Sequence, residues 1–350
     1  MNLINKISNR IRCFLFRRKL KGSSNKALYI IGNGFDLHHD LDTWYSSFGL
    51  FLQDNHSDIY DLLIRYVAMP ELDREDEDTL WVQEWNEFEK SLANLDFDEI
   101  INDNSEFAAS PISDDYHKDL GVIENNVSEI RDNLTINLFN AFKEFIKNVE
   151  YPNINEKDIL NINPAACFFN FNYTNSLQEY YSVEDSNILY IHNNANSSNV
   201  LVLGHGIDPE KFVIEKPKMP ANLSDEEEQN WIDYQGEKFD ISIEFGKNAL
   251  FKYFNQSFKN TETIIKMNQS YFDSLKDINR VIVFGHSLSD VDKSYFEKIV
   301  NSVNPKSKWF VSCRKNSEMI IKRNRLYEFG IPRRKISPYN VNWLLKHKRK

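Results

Sequence analysis

The sequence predicts an α/β protein, a doubly wound parallel sheet carrying a large helical insertion. Three observations lead there. Ala27-Leu28-Tyr29-Ile30-Ile31 is a continuous apolar run that stops at Gly32, the pattern of a strand buried on both faces. Arg280-Val281-Ile282-Val283-Phe284 repeats it and stops at Gly285. Strand, glycine turn and helix thus occur near both ends of the chain, which favours a doubly wound sheet.

Between these anchors the elements read in order. Residues 21–26 form a linker, and a helix follows the first glycine turn. Thr43 caps a helix containing Trp44, Phe48 and Phe51, and a further helix fits Ile59–Tyr66. Residues 71–78 hold six acids and one arginine, a solvated loop or helix start. Helical spacing resumes through Trp81, Trp85, Phe88 and Leu92. Ser91–Asp115 reads as irregular, and Ile130, Leu134, Leu138, Phe142 and Ile146 mark a long helix over Ile123–Val149. The stretch 44–150 is therefore the insertion or cap. Strands return at Ala166–Phe171, Ile188–Ile191 and Val200–Leu203. Residues 207–245 show no clear period, and Ala249–Leu275 is helical. A helix follows Asp290 or Val291, Trp309–Val311 is a last strand and Ser317–Phe329 a last helix. The resulting domains are a basic extension over 1–26, the α/β domain over 27–330 and a basic tail over 331–350.

The 350 residues carry a net charge of −10, unevenly spread. Residues 1–26 hold eight Lys or Arg and no acid, and residues 306–350 hold fourteen against two acids. Such ends suit a nucleic-acid surface, an anionic membrane surface, or the acidic body of the same chain or of a second copy. No run reaches the ~20 apolar residues of a membrane-spanning helix. Three well-separated cysteines form neither a zinc pattern nor a disulfide framework, which fits a cytoplasmic setting.

Five segments carry candidate chemistry. Gly32-Asn33-Gly34-Phe35-Asp36 follows a strand, so its backbone amides suit a phosphate, or it is simply a tight turn. It lacks the third glycine of the dinucleotide fingerprint and the Gly-Lys-Ser/Thr of a P-loop. Asp36 suits a ribose or an amide rather than a phosphate. In Phe169-Asn170-Phe171-Asn172-Tyr173-Thr174, alternation puts Asn170 and Asn172 on one face at a strand end, as ligand contacts or as an Asx turn. His192 and Gly204-His205-Gly206 each follow a short apolar run. They carry no His-Glu-x-x-His pattern, and no metal is expected even with His38 and His39 nearby. Gly285-His286-Ser287-Leu288-Ser289-Asp290 resembles a nucleophile elbow, but the final glycine is replaced by Ser289 and only His347 follows. A ligand-binding helix start, capped by Ser289 or Asp290, is the better reading.

Together these segments resemble the bacteriophage abortive infection AbiH family. Gly32-Asn33-Gly34-Phe35-Asp36-Leu37 and Leu41-Asp42-Thr43-Trp44-Tyr45-Ser46-Ser47-Phe48 resemble its opening, and Trp85 and Glu89 its cap region. Phe171-Asn172-Tyr173-Thr174, Ile191-His192, Leu203-Gly204-His205-Gly206 and Phe284-Gly285-His286-Ser287-Leu288 with Asp290 and Asp292 follow in the family's order. The resemblance implies anti-phage defence, with a phage-derived trigger as partner. The order Gly-x-Gly, Asn-Tyr, His, Gly-x-Ser is also similar to the Sir2-like fold. It implies a Rossmann-like, Sir2-like sheet that binds NAD and hydrolyses it to ADP-ribose and nicotinamide. Asn172 and His192 would then do the chemistry. Gly32, Asn33, Gly34, Phe35, Asp36, His205, Gly285, His286, Ser287 and Asp290 would bind the nucleotide. Asn172 would hold a ribose hydroxyl or water, His192 would accept a proton, and Asp36 would fix the carboxamide or ribose. The first glycine loop would hold the diphosphate. Asn193 stands where both families have glycine, and asparagine tolerates left-handed backbone better than most residues. The insertion, or self-association into a homo-oligomer, would gate the enzyme. Two other classes stay open: a nucleotide-sensing module without catalysis, and an effector that targets nucleic acid through the basic termini.

Overall fold

The computed structural model describes residues 27–155, 158–213, 217–237 and 239–345. The expected basic extension over 1–26, with its linker, lies outside them, as do residues 346–350. The chain divides into two compact units. One is built from the residues up to Ser47, Lys143–Val202 and the chain from Asn260 onward; the other comprises Phe48–Phe142 and Leu203–Lys259.

The first unit holds a six-stranded sheet. Its strands are β1 (Ala27–Ile31), β2 (Cys167–Asn170), β3 (Ile188–Tyr190), β4 (Arg280–Phe284), β5 (Lys308–Cys313) and β6 (Ile336–Asn340). The spatial order is β3-β2-β1-β4-β5-β6, and every pairing is parallel. This order, reversing between β1 and β4, is that of a Rossmann-like doubly wound sheet. The central strands read as unbroken apolar runs because both faces are covered. Leu28, Ile30, Phe169, Val281 and Val283 enter one core with Phe272, Tyr295, Phe296 and Leu326 from helices Gln269–Ser274, Lys293–Ser302 and Glu318–Glu328. Ala27, Tyr29, Ile31, Phe168, Ile282 and Phe284 enter the other with Leu160, Leu177 and Tyr339.

Two strand readings need correction. Val200–Leu203 forms no strand: Val200 is exposed, the Val202 amide donates to the His192 carbonyl, and the Val202 carbonyl accepts from the Tyr173 hydroxyl. Conversely, β6 lies in the stretch read as a basic tail. Pro338 hides it in the sequence, and the sheet tolerates that proline because β6 is an edge strand.

The second unit is helical. Val122–Asp132 and Leu138–Asn148, the latter running on into the first unit, are joined by a π-helical turn over Asn133–Asn137, so the predicted long helix is present with a local expansion. The Thr135 hydroxyl donates to the Arg131 carbonyl within that turn. The Trp81–Leu92 region is not one helix but short turns, with Trp81 exposed. Two helices occupy stretches that read as irregular, Phe97–Asn104 and Asp225–Glu237, and a third, Ile241–Gln256, begins in one. Each start has a local signal. Asp96 accepts from the Glu99 amide, and Asp240 accepts from the Ser242 and Ile243 amides. Ser224 and Glu227 form a capping box.

Gly246 lies against Ile123, where a Cβ would stand 2.5 Å from Ile123 Cγ2, whereas nothing lies within 4 Å of a Cβ at Gly236. Gly246→Ala is expected to cost about 1–3 kcal/mol by overpacking. Gly236→Ala is expected to add a few tenths to about 1 kcal/mol of helix stability. Urea denaturation of the two variants checks both signs.

Candidate functional site

The loops that follow β1 and β4 meet where the strand order reverses, the place where open α/β sheets bind ligands. Here they are packed backbone against backbone. The Gly32 amide donates to Phe284 O (2.9 Å) and the Gly34 amide to Gly285 O (2.8 Å). A Cβ at Gly34 would lie 2.8 Å from Gly285 Cα, and one at Gly285, where φ is +69°, would lie 2.3 Å from the Phe35 nitrogen. A Cβ at Gly32 would lie 2.7 Å from His286 Cα. The glycines are thus accounted for by close approach of two chain segments. The Phe35 amide donates to Gly32 O and the Leu37 amide to Asn33 O. Asn33 is tied to Thr43 in both directions, its Nδ2 donating to Thr43 O (2.8 Å) and its Oδ1 accepting the Thr43 hydroxyl (2.6 Å). The N–H groups of Gly32, Gly34 and Phe35, expected to meet a diphosphate, are engaged within the protein. The helix expected after the loop is only a 3₁₀ turn, Leu37–His39.

Asp36 is fully buried, and its two oxygens accept the Thr174 hydroxyl (2.7 Å) and the Ser176 hydroxyl (2.6 Å). It latches the β1 loop to the segment after β2. Burial raises its carboxyl to about 6, against the pull of Ser176, Thr174 and the Asn172 amide. Beside it, His39 Nδ1 lies 2.6 Å from the Phe35 carbonyl and Nε2 lies 2.6 Å from the Tyr181 hydroxyl. A carbonyl only accepts, so the ring proton sits on Nδ1 and Nε2 accepts from Tyr181. Burial lowers this imidazole to about 4. His38 Nε2 lies 3.1 Å from the Asp158 carbonyl.

Asn170 and Asn172 close β2. The Asn172 amide donates to Asn170 Oδ1 (3.0 Å), an Asx turn, and this bond points the Asn170 amide nitrogen the other way. Both side chains are buried; Asn172 lies close enough to Asp36 to lower its carboxyl and Asn170 close enough to Tyr190 to act on its hydroxyl, but neither Asn170 Nδ2 nor Asn172 Nδ2 makes a well-formed hydrogen bond. Two such donors are costly unless something accepts from them. Asn193, just beyond His192, has φ +65°, so it occupies the left-handed backbone that glycine would take, and its Nδ2 donates to Val200 O (2.6 Å).

His192, His286 and Asp292 converge. Asp292 Oδ1 is 3.9 Å from His192 Nε2, and Asp292 Oδ2 is 3.4 Å from His286 Nε2. The edge of each imidazole meets Phe171, at ring separations of 5.3 and 4.4 Å, and Tyr173 stacks near His192 at 5.9 Å. Asp292 was the residue that sequence reasoning passed over in favour of Asp290. Asp290 instead faces solvent, 79% exposed, and pairs with Arg325. Two residues of helical turn separate the directions of these carboxylates. Ser287 is exposed between them and the strand.

His205 belongs to the second unit. It is buried, its backbone bonds to Ser257 and Lys259, its ring packs near Phe212 (5.5 Å) and Phe258 (6.1 Å), and burial lowers it to about 4. In the same unit Lys259 pairs with Glu89 at 2.5 Å. Among the described residues, no three His, Cys, Asp or Glu side chains are grouped so that they could hold a metal ion.

Two outcomes are expected. Gly285→Ala combines left-handed backbone with a clash against the Phe35 nitrogen, and thermal denaturation should show a loss of several kcal/mol, on the order of 3 or more. The second concerns pH. His39 protonates near 6.5 unfolded and about 4 folded, so acidification through that window removes stability. Asp36 protonates near 3.8 unfolded and about 6 folded, so acidification there adds stability. At 1.36 kcal/mol per pKa unit each contributes roughly 3 kcal/mol, with opposite sign. Stability measured between pH 4 and 7 should fall more steeply on acidification in Asp36→Asn and less steeply in His39→Gln.

The comparisons with known proteins follow the same residues. No curated protein and no solved structure matches the chain. The family described as Bacteriophage abortive infection AbiH matches residues 28–313. That span takes in both glycine loops, Asn172, His192, His205 and the His286–Asp292 segment, and so this chain belongs to the bacteriophage abortive infection AbiH family.

Proposed function

We propose that this family member defends the cell by cleaving NAD, releasing nicotinamide and ADP-ribose. The observation that carries the reading is the pair of buried amide donors at the end of β2, Asn170 Nδ2 and Asn172 Nδ2, neither of which makes a well-formed hydrogen bond within the protein. They suit the acceptor oxygens of a ribose or a carboxamide. The parallel sheet with its order reversal between β1 and β4 supports a nucleotide in the adjoining crevice. The similarity of the motif order to the Sir2-like fold names the nucleotide.

In this reaction the bond from the ribose C1′ to the nicotinamide nitrogen breaks. Its electron pair goes to the ring nitrogen and cancels the positive charge there. Water adds to C1′, and its proton passes to His192, whose imidazole class titrates near neutrality. Asn172 holds a ribose hydroxyl or the water. Asp36 already accepts from Thr174 and Ser176 and is drawn on by the Asn172 side chain; its part is to hold Asn172 in place. In the first glycine loop the Gly32, Gly34 and Phe35 amides are engaged within the protein, so its contact with the diphosphate falls to other groups of the loop. Ser287, exposed at the β4 loop, is a further binding residue left to meet it.

The test is nicotinamide release by the purified chain, alone and with extract from phage-infected cells. Asn172→Ala and His192→Ala, each checked for folding, should lower turnover by about 10²–10⁴-fold, the usual worth of a positioned base. NAD binding without turnover would instead make the protein a nucleotide sensor. If the protein neither binds nor turns over NAD, the NAD reading is overturned.

A further inference from the structure

We propose that Asp292 is a positioning residue shared by two histidines, and that the proton held at His192 is set by whether His286 is also drawing on the same carboxylate. The argument begins with His286. Its Nδ1 accepts a hydrogen bond from the Leu288 amide at 2.8 Å. An atom that accepts from a backbone N–H carries no proton, so the proton of the neutral ring sits on Nε2. That nitrogen faces Asp292 Oδ2 at 3.4 Å. The other oxygen, Oδ1, faces His192 Nε2 at 3.9 Å. One carboxylate therefore stands between two imidazoles, each about 3% exposed at the side chain, while Asp292 itself is 13% exposed.

The surroundings make this arrangement specific. Leu288 holds φ +65°, strained for a branched side chain, and its carbonyl accepts from Arg325 Nε at 2.9 Å. This strained turn aims the Leu288 amide at His286 and precedes the 3₁₀ turn Asp290–Asp292 that supplies the carboxylate. Phe171 packs against both imidazoles, and Tyr295 lies 5.7 Å from His192. Asp292, Tyr173 and Tyr295 are titratable groups that face His192, with His286 on the other side of the Asp292 carboxylate. Among them Asp292 is the anion near neutral pH.

A carboxylate within about 4 Å favours the protonated imidazole, commonly by 1–3 pKa units. Two imidazoles on one carboxylate compete for its charge, so removing His286 leaves more of it to His192. At 3.9 Å Asp292 acts on His192 through its charge rather than a hydrogen bond, stabilising the imidazolium. A consequence for turnover rests on the NAD reading above; the coupling itself does not.

The test is therefore read on the histidines, by nitrogen-15 NMR titration of the imidazoles in the full chain. In Asp292→Asn the His192 midpoint should fall by at least one unit. In His286→Gln the carboxylate is released to His192, and the His192 midpoint should rise. Asp290→Asn, which removes a carboxylate exposed to solvent, should leave the His192 midpoint in place. If Asp292→Asn fails to fold, the rise in His286→Gln carries the test alone. An unmoved His192 midpoint in a folded Asp292→Asn, or in His286→Gln, would overturn the proposal whether or not the chain cleaves NAD. If NAD is cleaved, the acid limb of the pH profile should shift downward in Asp292→Asn by the same amount as the His192 midpoint. A uniform loss of rate without that shift would mark a merely structural role.

Discussion

The contact between Gly34 and Gly285 constrains the whole sheet end. β1 and β4 are the central strands, and the loops leaving them occupy one narrow space. Only residues without a Cβ allow the two backbones to come within hydrogen-bond distance there. From this contact the rest of the sheet end follows. His286 begins just beyond Gly285 and is turned inward, the Leu288 turn is forced into left-handed backbone, and Asp292 is delivered to the histidines. A pair of glycines thus positions charged and aromatic chemistry several residues away.

On the other side of the β1 loop, buried polar groups are satisfied by one another. Asp36 takes two hydroxyls from the segment after β2, and His39 bridges the Phe35 carbonyl to Tyr181, whose hydroxyl in turn accepts from the Leu160 amide. Such bonds have a modest net worth when made, but leaving a buried partner unmatched is expensive. This contrast gives weight to the Asn170 and Asn172 amide nitrogens. In a neighbourhood where Asp36, His39, Thr174 and Ser176 are matched, two donors are not.

The legible parts of the chain were those whose signal is local. β1 and β4 were readable to the residue because a strand buried on both faces must be apolar throughout. Helix Phe97–Asn104 and helix Asp225–Glu237 were missed although Asp96 with Glu99, and Ser224 with Glu227, mark their starts. The second is largely exposed, so its apolar residues carry no period. Val200–Leu203 failed in the opposite sense, since an apolar run pairs as a strand only where a neighbouring edge accepts it.

The sequence by itself determined the doubly wound α/β class, the family, and the residue types gathered at the strand ends, because apolar runs, glycine turns and ordered motifs are properties of neighbours along the chain. Tertiary structure alone decided how those residues are used. It packed the glycines against each other, gave Asp36 to Thr174 and Ser176, put His205 in the second unit, and chose Asp292 over Asp290 as the carboxylate facing His192 and His286. The reason is geometric: a hydrogen bond or ion pair depends on a few ångströms between residues far apart in sequence, and no local pattern encodes that distance.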